Sequence, residues 1–111
     1  MNPHVLCTAV EFEIPAFWIG WNNFAWGAIR DIQYGLFEGR ELGTAFYQGE
    51  NREPYNPDFA AMARSCGVDA ATITKANDFA PALEHAINQN KPYLLDVHVD
   101  SEIRPPATGT W

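Results

Sequence analysis

The apolar positions of the chain alternate between helical spacing and short continuous runs. Over residues 3–13 apolar side chains recur every three or four positions, which predicts a helix. Residues 16–21 (Ala-Phe-Trp-Ile-Gly-Trp) are wholly apolar without alternation, which is typical of a parallel strand covered on both faces. The same patterns predict five further elements, namely helices at residues 25–36, 57–66 and 78–89 and strands at residues 69–74 and 93–99.

The order of these elements points to one fold class. Parallel strands need long crossover connections, and helices are the compact way to make them. We therefore expect all three strands to be parallel in an α/β fold, a three-layer parallel sheet with helices on both faces. Because three strands make only a small sheet, this fold is expected to be incomplete.

The predicted helix at residues 25–36 carries one apolar stripe. Ile29, Ile32 and Gln33 share this stripe, which is expected to face the core. Arg30 and Asp31 lie outside the stripe, on the side expected to face away from the core.

Two segments lack a regular pattern. Residues 37–56 combine glycines and a proline with scattered charges and aromatic residues, which predicts a long loop that is functional or faces a partner. Residues 104–111 contain two consecutive prolines and end in Trp, which predicts an extended tail that docks elsewhere. One domain is therefore expected over residues 1–103, followed by the tail at residues 104–111.

Composition narrows the classes of partner. Apolar residues make up 47% of the 111 residues, so a packed core is expected rather than disorder. A formal net charge of -7 argues against nucleic acid and anionic membranes as partners. The longest apolar run is far shorter than the roughly 20 residues of a membrane span, and no export signal is apparent, so a cytoplasmic location is expected.

Few side chains suggest catalysis. Cys7 and Cys66 show no paired spacing and are expected to be reduced, buried and structural. His4, His85 and His98 are too widely separated to suggest a metal site, which favours surface or core positions. No catalytic residue is predicted.

The turn after the first predicted strand, residues 21–27 (Trp-Asn-Asn-Phe-Ala-Trp-Gly), is the most informative position. Open parallel sheets bind ligands where strands end, and helix N-termini bind phosphate. An Asn oxygen and a main-chain carbonyl two residues later suit Mg²⁺, and Gly27 would admit a diphosphate close to the backbone. A simpler explanation, which spacing alone favours, is that Asn22 and Asn23 only cap the next helix.

Residues 2–30 resemble the thiamine-diphosphate-binding motif of the acetolactate-synthase-like enzymes. Within this range the resemblance rests on Leu6-Cys7-Thr8-Ala9-Val10 with Ile14-Pro15 and on Asn22-Asn23-Phe24-Ala25-Trp26-Gly27-Ala28-Ile29-Arg30. It continues toward the C-terminus in Glu53-Pro54-Tyr55-Asn56-Pro57-Asp58-Phe59 and in Asp96-Val97-His98-Val99-Asp100. In that family the motif opens with Gly-Asp-Gly, which would lie upstream of Met1. The chain is therefore expected to be the last part of a three-domain subunit, without the metal-binding Asp, the first strand and the cofactor-activating glutamate.

The resemblance also implies roles for individual residues. Asn23 matches the side-chain ligand of Mg²⁺, and Ala25 matches the residue whose main-chain carbonyl binds the same ion. Trp26 and Gly27 match the backbone that meets the diphosphate of thiamine diphosphate.

Two further positions concern the substrate. Ala28 and Ile32 fall where the family lines its substrate pocket, although acetohydroxyacid synthases typically carry bulkier Met and Trp there. The resemblance implies a module that binds thiamine diphosphate and Mg²⁺ in an enzyme for decarboxylation or carboligation of 2-oxo acids, working as a homo-oligomer. The alternative is a truncated α/β binding or structural domain without activity of its own.

Overall fold

The computed structural model describes residues 2–103, and the predicted tail at residues 104–111 lies outside them. The described residues form two compact units, the first made of residues 2–22 and 56–99 and the second of residues 23–55 and 100–103. Within residues 2–103, no helix combines the length and the apolar character needed to cross a membrane.

Residues 2–103 form nine elements. In order they are α1 (His4–Glu11), β1 (Phe17–Asn22), α2 (Gly27–Leu36), β2 (Tyr47–Gln48), β3 (Glu53–Pro54), α3 (Phe59–Ser65), β4 (Asp69–Ile73), α4 (Ala76–Asn88) and β5 (Tyr93–His98). Every helix and strand predicted from the sequence is present, with its ends within two residues of the prediction. The prediction of an irregular loop at residues 37–56 is wrong in part, because β2 and β3 form a short antiparallel pair there.

The first unit is built on a three-stranded sheet in the order β1, β5, β4. Both pairings are parallel, and Tyr93 of β5 stands opposite Phe17 of β1 on one side and Asp69 of β4 on the other. The prediction of three parallel strands in one sheet is thereby confirmed. β5 is the central strand, and its first five residues are buried, as its near-continuous apolar sequence requires.

Helices cover both faces of this sheet. Because successive strand side chains point to opposite faces, Leu94 and Leu95 belong to two different clusters. Leu95 packs with side chains of α4, whereas Leu94 packs with Leu6 of α1 and Ala63 of α3. The three-layer α/β architecture predicted from the sequence is therefore the observed one.

Local sequence signals define both ends of α3, which directly precedes β4 in the chain. The Asp58 carboxylate accepts a hydrogen bond from the Ala61 N–H at 2.7 Å and caps the helix N-terminus. Gly67, with φ of 83°, follows the helix in the left-handed conformation that glycine adopts readily. The chain can then turn directly into β4.

The second unit contains α2 and the β2–β3 hairpin. The orientation predicted for α2 is wrong: Arg30 is 6% exposed, whereas Ile29 and Ile32 are 52% and 56% exposed. Arg30 is buried because its Nη2 donates to the Ser101 carbonyl and its Nη1 lies 3.8 Å from the Glu102 carboxylate. The apolar stripe of α2 is consequently left on the exposed side of the helix.

Candidate functional site

The turn between β1 and α2 has an unusual backbone. Phe24 has a φ of 56°, in the left-handed region that costs a non-glycine residue conformational energy. Ala25 forms an isolated antiparallel bridge with Ala45 of the following loop. Two backbone hydrogen bonds flank the bridge, from the Phe46 N–H to the Phe24 carbonyl at 3.3 Å and from the Trp26 N–H to the Thr44 carbonyl at 2.7 Å. The turn is therefore held in a defined shape by the loop.

The Ala25 carbonyl lies between two carbonyls that accept hydrogen bonds. Neighbouring carbonyls at Phe24 and Trp26 accept hydrogen bonds from Phe46 and Arg30. The Ala25 carbonyl accepts none from the residues that the structure describes. An unpaired carbonyl oxygen at a half-buried position is a suitable ligand for a hard cation.

Gln33 of α2 fixes the loop that supports the turn. Its side-chain oxygen accepts hydrogen bonds from the Leu42 N–H at 3.0 Å and the Thr44 hydroxyl at 3.3 Å. Its Nε2 donates to the Leu42 carbonyl at 3.2 Å. Gln33 was expected only on the apolar stripe of α2, and Thr44 had no predicted role, because nothing in their spacing indicates that an amide would meet this loop.

The N-terminus of α2 is open. Trp26 is the N-cap residue, no side chain makes a capping hydrogen bond, and the first turn contains no acidic residue. Backbone N–H groups of a first helical turn have no partner within the helix, and together with the helix dipole they attract anions. The end of α2 therefore offers hydrogen-bond donors to an anionic group.

Asn23 lies against this open end. A Cβ placed on Gly27 would be 2.5 Å from the Asn23 Nδ2 atom, so only glycine leaves room for the side chain as it stands. The Asn23 oxygen is more than 4 Å from the same point. No side chain, Asn23 included, makes a capping hydrogen bond to α2.

Asn22, the other residue of the Asn-Asn pair, has a different environment. Its Nδ2 donates to the Asp96 carboxylate at 2.9 Å, and both residues are buried. The other oxygen of Asp96 lies 3.4 Å from the Nε2 of His98, and the Val99 N–H donates to the Asn22 carbonyl at 2.9 Å. Asn22 therefore joins β1 to β5, and capping of α2 explains neither asparagine.

Ala28 and Ile32, the residues predicted to line the substrate pocket, are both exposed on α2. Trp26 is also largely exposed and makes an edge contact with the Phe46 ring at 5.9 Å. Side chains presented in this way can contact a ligand or another protein surface.

The cysteines differ from the sequence prediction. Cys7 is exposed and Cys66 is half-buried, so the expectation that both are buried is wrong. Within residues 2–103, no group of three or more His, Cys, Asp or Glu side chains is placed to hold a metal ion. A cation at the turn would therefore rely on neutral oxygens such as those of Asn23 and Ala25, together with oxygens from a ligand or water.

A parallel α/β sheet, whose first strand runs into a turn with an open helix N-terminus, defines a class of domains that bind phosphorylated ligands. Residues 1–97 match the family described as "Thiamine pyrophosphate enzyme, C-terminal TPP binding domain". The chain belongs to this family, and the resemblance inferred from the sequence is confirmed.

Individual relatives agree with this assignment. YdaP of Bacillus subtilis, named as a thiamine pyrophosphate-containing protein, is 33% identical over 104 residues, covering 94% of this chain. The acetolactate synthase large subunit of Corynebacterium glutamicum is 32% identical over 97% of this chain. The thiamine diphosphate-dependent 4-hydroxybenzoylformate decarboxylase of Rhodococcus jostii RHA1 superposes on 92% of this chain with a TM-score of 0.72 and 25% identity.

These relatives are much longer than the chain. The chain spans 16% of YdaP, 17% of the synthase subunit and 18% of the decarboxylase. The two enzymes among them carry different reaction names, so membership of the family fixes the type of domain and leaves the reaction open.

Proposed function

We propose that residues 23–27 bind Mg²⁺ and the diphosphate of thiamine diphosphate, as part of an enzyme that acts on 2-oxo acids. The observation that carries this proposal is the open end of α2 with Asn23 packed on Gly27. Neither asparagine of the pair caps the helix, so the simpler explanation of the motif loses its support.

The metal would be held by two neutral oxygens of the chain. These are the side-chain oxygen of Asn23, which faces away from Gly27, and the unpaired carbonyl of Ala25. Mg²⁺ prefers six oxygen ligands and usually keeps phosphate oxygens and water among them. The remaining ligands would therefore come from the diphosphate, water and other parts of the complete enzyme.

The diphosphate would be held by the backbone of Trp26 and Gly27. Its negative charge would be met by the N–H groups and the dipole of α2, which no acidic side chain of the first turn opposes. Gly27 serves twice here, because its missing Cβ leaves room for Asn23 and for close approach of an anion.

When bound, thiamine diphosphate supplies the carbanion chemistry needed for decarboxylation or carboligation of 2-oxo acids. The chain would contribute binding and orientation, and Ala28 and Ile32 would line the substrate pocket. Because Ala28 is small, that part of the pocket would admit a larger substrate or acceptor than a pocket lined by Met.

The apolar stripe of α2 supports an oligomeric enzyme. Ile29 and Leu36 lie seven residues apart on one side of the helix, and each is more than half exposed. We propose that a second copy of the protein covers this stripe. Ile29→Glu should then shift the sedimentation coefficient toward the monomer, and an unchanged coefficient would contradict the proposal.

Titration calorimetry of thiamine diphosphate into the purified chain, with and without Mg²⁺, tests the proposed site. We expect binding that requires Mg²⁺ and weakens at least about tenfold in Asn23→Ala, a loss of about 1.4 kcal/mol. The control is Asn51→Ala, which removes the same side chain from the exposed turn between β2 and β3. Binding that is equally strong in both variants, or that needs no Mg²⁺, would contradict the proposed site.

A further inference from the structure

Cys7 and Cys66 lie on the same face of the sheet. Cys7 belongs to α1, and Cys66 is the C-cap residue of α3. Leu6, next to Cys7, is buried in the cluster against which Cys66 packs. The two cysteines therefore border one region of the core from two different helices.

A second contact brings the same parts of α1 and α3 together. Val10 lies three residues after Cys7, which places both on one side of α1. A Cβ on Gly67, the residue after Cys66, would be 3.6 and 3.7 Å from the two methyl groups of Val10. The side of α1 that carries Cys7 thus packs against the end of α3.

The two thiols interact directly. A hydrogen bond with the Cys66 thiol raises the pKa of the Cys7 thiol above its ordinary value. The packing of Val10 on Gly67 independently brings the Cys7 side of α1 to the end of α3 that carries Cys66. Cys7 is also exposed, so a dissolved reagent can reach it.

We propose that Cys7 and Cys66 form a reversible disulfide that links α1 to α3, a redox modification site separate from the turn at residues 23–27. The oxidant is a small disulfide such as oxidised glutathione. The Cys7 thiolate attacks one of its sulfur atoms and releases one glutathione. The Cys66 thiolate then attacks the Cys7 sulfur of the mixed disulfide and releases the second glutathione.

The step is balanced in atoms and electrons. Two S–H bonds of the chain are lost, one S–S bond forms, and two protons pass to the two released glutathione molecules. Two electrons pass from the cysteines to the oxidant, and excess reduced glutathione reverses the reaction. The raised pKa of Cys7 lowers the fraction of this thiol that is present as thiolate and so slows its attack on the oxidant.

The disulfide would link α1 and the end of α3 covalently on one face of the sheet. More than half of the chain lies between the two cysteines, so the disulfide would restrict a large part of the unfolded chain. We expect the melting temperature of the oxidised chain to rise by at least about 5 °C over the reduced chain.

Intact-mass spectrometry of the native 111-residue chain, incubated with oxidised glutathione, tests the proposal. The expected product is a species about 2 Da lighter than the reduced chain, which dithiothreitol converts back. Cys66→Ser should stop at a glutathione adduct on Cys7.

The matched control moves the second thiol by one residue. The double variant Ser65→Cys with Cys66→Ser keeps two cysteines but turns one of them by about 100° around α3. Ser65 is exposed on α3, so this variant should remain folded and accumulate adducts instead of the internal bond. The proposal is overturned if the native chain gains only adducts, or if the double variant forms the internal bond equally fast.

Discussion

Replacement of Asn22 by Ala should destabilise the protein because one oxygen of the buried Asp96 carboxylate loses the hydrogen bond donated by Asn22. The Asn22 Nδ2 atom donates to Asp96 at 2.9 Å, and Asp96 is 1% exposed. Water has little access to the Asp96 oxygen that loses this hydrogen bond. The desolvation of that buried oxygen is then no longer compensated, which lowers the free energy of unfolding. Asn22 itself is 6% exposed, so its removal also leaves a small cavity.

The expected loss follows from these two costs. A hydrogen bond to a charged group is worth about 1.5–3 kcal/mol, so the free energy of unfolding should fall by about 2 kcal/mol. His98 keeps its contact with the other oxygen of Asp96 at 3.4 Å, which limits the loss to one oxygen. For a small protein the urea midpoint should fall by about 1–2 M.

Urea unfolding of the 111-residue chain, followed by tryptophan fluorescence, measures this loss. Asn51→Ala, in the exposed turn between β2 and β3, should leave the midpoint unchanged. The double variant Asn22→Ala with Asp96→Ala should lose less than the two single variants together, because each removes the same hydrogen bond. If Asn22→Ala unfolds at the same urea concentration as Asn51→Ala, the hydrogen bond between Asn22 and Asp96 contributes nothing to the free energy of unfolding.

Three further outcomes are expected. Gly27→Ala should displace the Asn23 amide and weaken Mg²⁺-dependent binding of thiamine diphosphate at least about tenfold in calorimetry. Gly35→Ala, with nothing within 4 Å of the new Cβ, should leave binding unchanged. Equal effects of the two variants would argue against a site formed by Asn23 and Gly27. Asp58→Ala should lower the free energy of unfolding by about 1 kcal/mol in urea titration, because α3 loses its N-cap, and an unchanged midpoint would show that the cap is dispensable. Cys66→Ala removes the hydrogen bond that raises the pKa of Cys7, so the thiolate fraction and the alkylation rate of Cys7 by iodoacetamide should rise at pH 8, while a slower reaction would contradict the thiol contact.

The sequence was sufficient for the parallel sheet because its signal is local. The apolar run at residues 16–21 lacks the alternation of a half-solvated strand, and parallel strands need the helices that the spacing also shows. The observed parallel direction of the three strands agrees with those two features, whereas the order β1, β5, β4 was not predicted. The family resemblance was likewise inferred from short local groups of residues, and the family match covers residues 1–97.

The orientation of α2 could not be predicted because its cause is distant in sequence. Arg30 is buried by a hydrogen bond to Ser101, 71 positions away, and no spacing within the helix reveals that partner. The β2–β3 hairpin was missed for a related reason. Each strand has only two residues, and Arg52 stacking on Tyr47 at 4.5 Å is a feature that periodicity does not register.

The two asparagines of the motif illustrate the same limit at the candidate site. Their sequence context is common to both, and a capping role was reasonable for either. The resemblance already gives the ligand role to Asn23 alone. The structure adds the physical difference: Asn22 is bonded to a strand partner 74 positions away, whereas Asn23 is placed on the open end of α2.

Paramagnetic broadening by Mn²⁺ tests most directly whether residues 23–27 form the metal and diphosphate site. Mn²⁺ accepts the same oxygen ligands as Mg²⁺ and broadens the amide signals of nearby residues in a ¹H–¹⁵N spectrum of the chain. With thiamine diphosphate present, the signals of residues 23–28 should disappear at the lowest Mn²⁺ concentration, and Asn23→Ala should abolish this selectivity. Broadening that begins at exposed acidic residues such as Glu50 and Glu53, or that is the same without thiamine diphosphate, would contradict the proposed site.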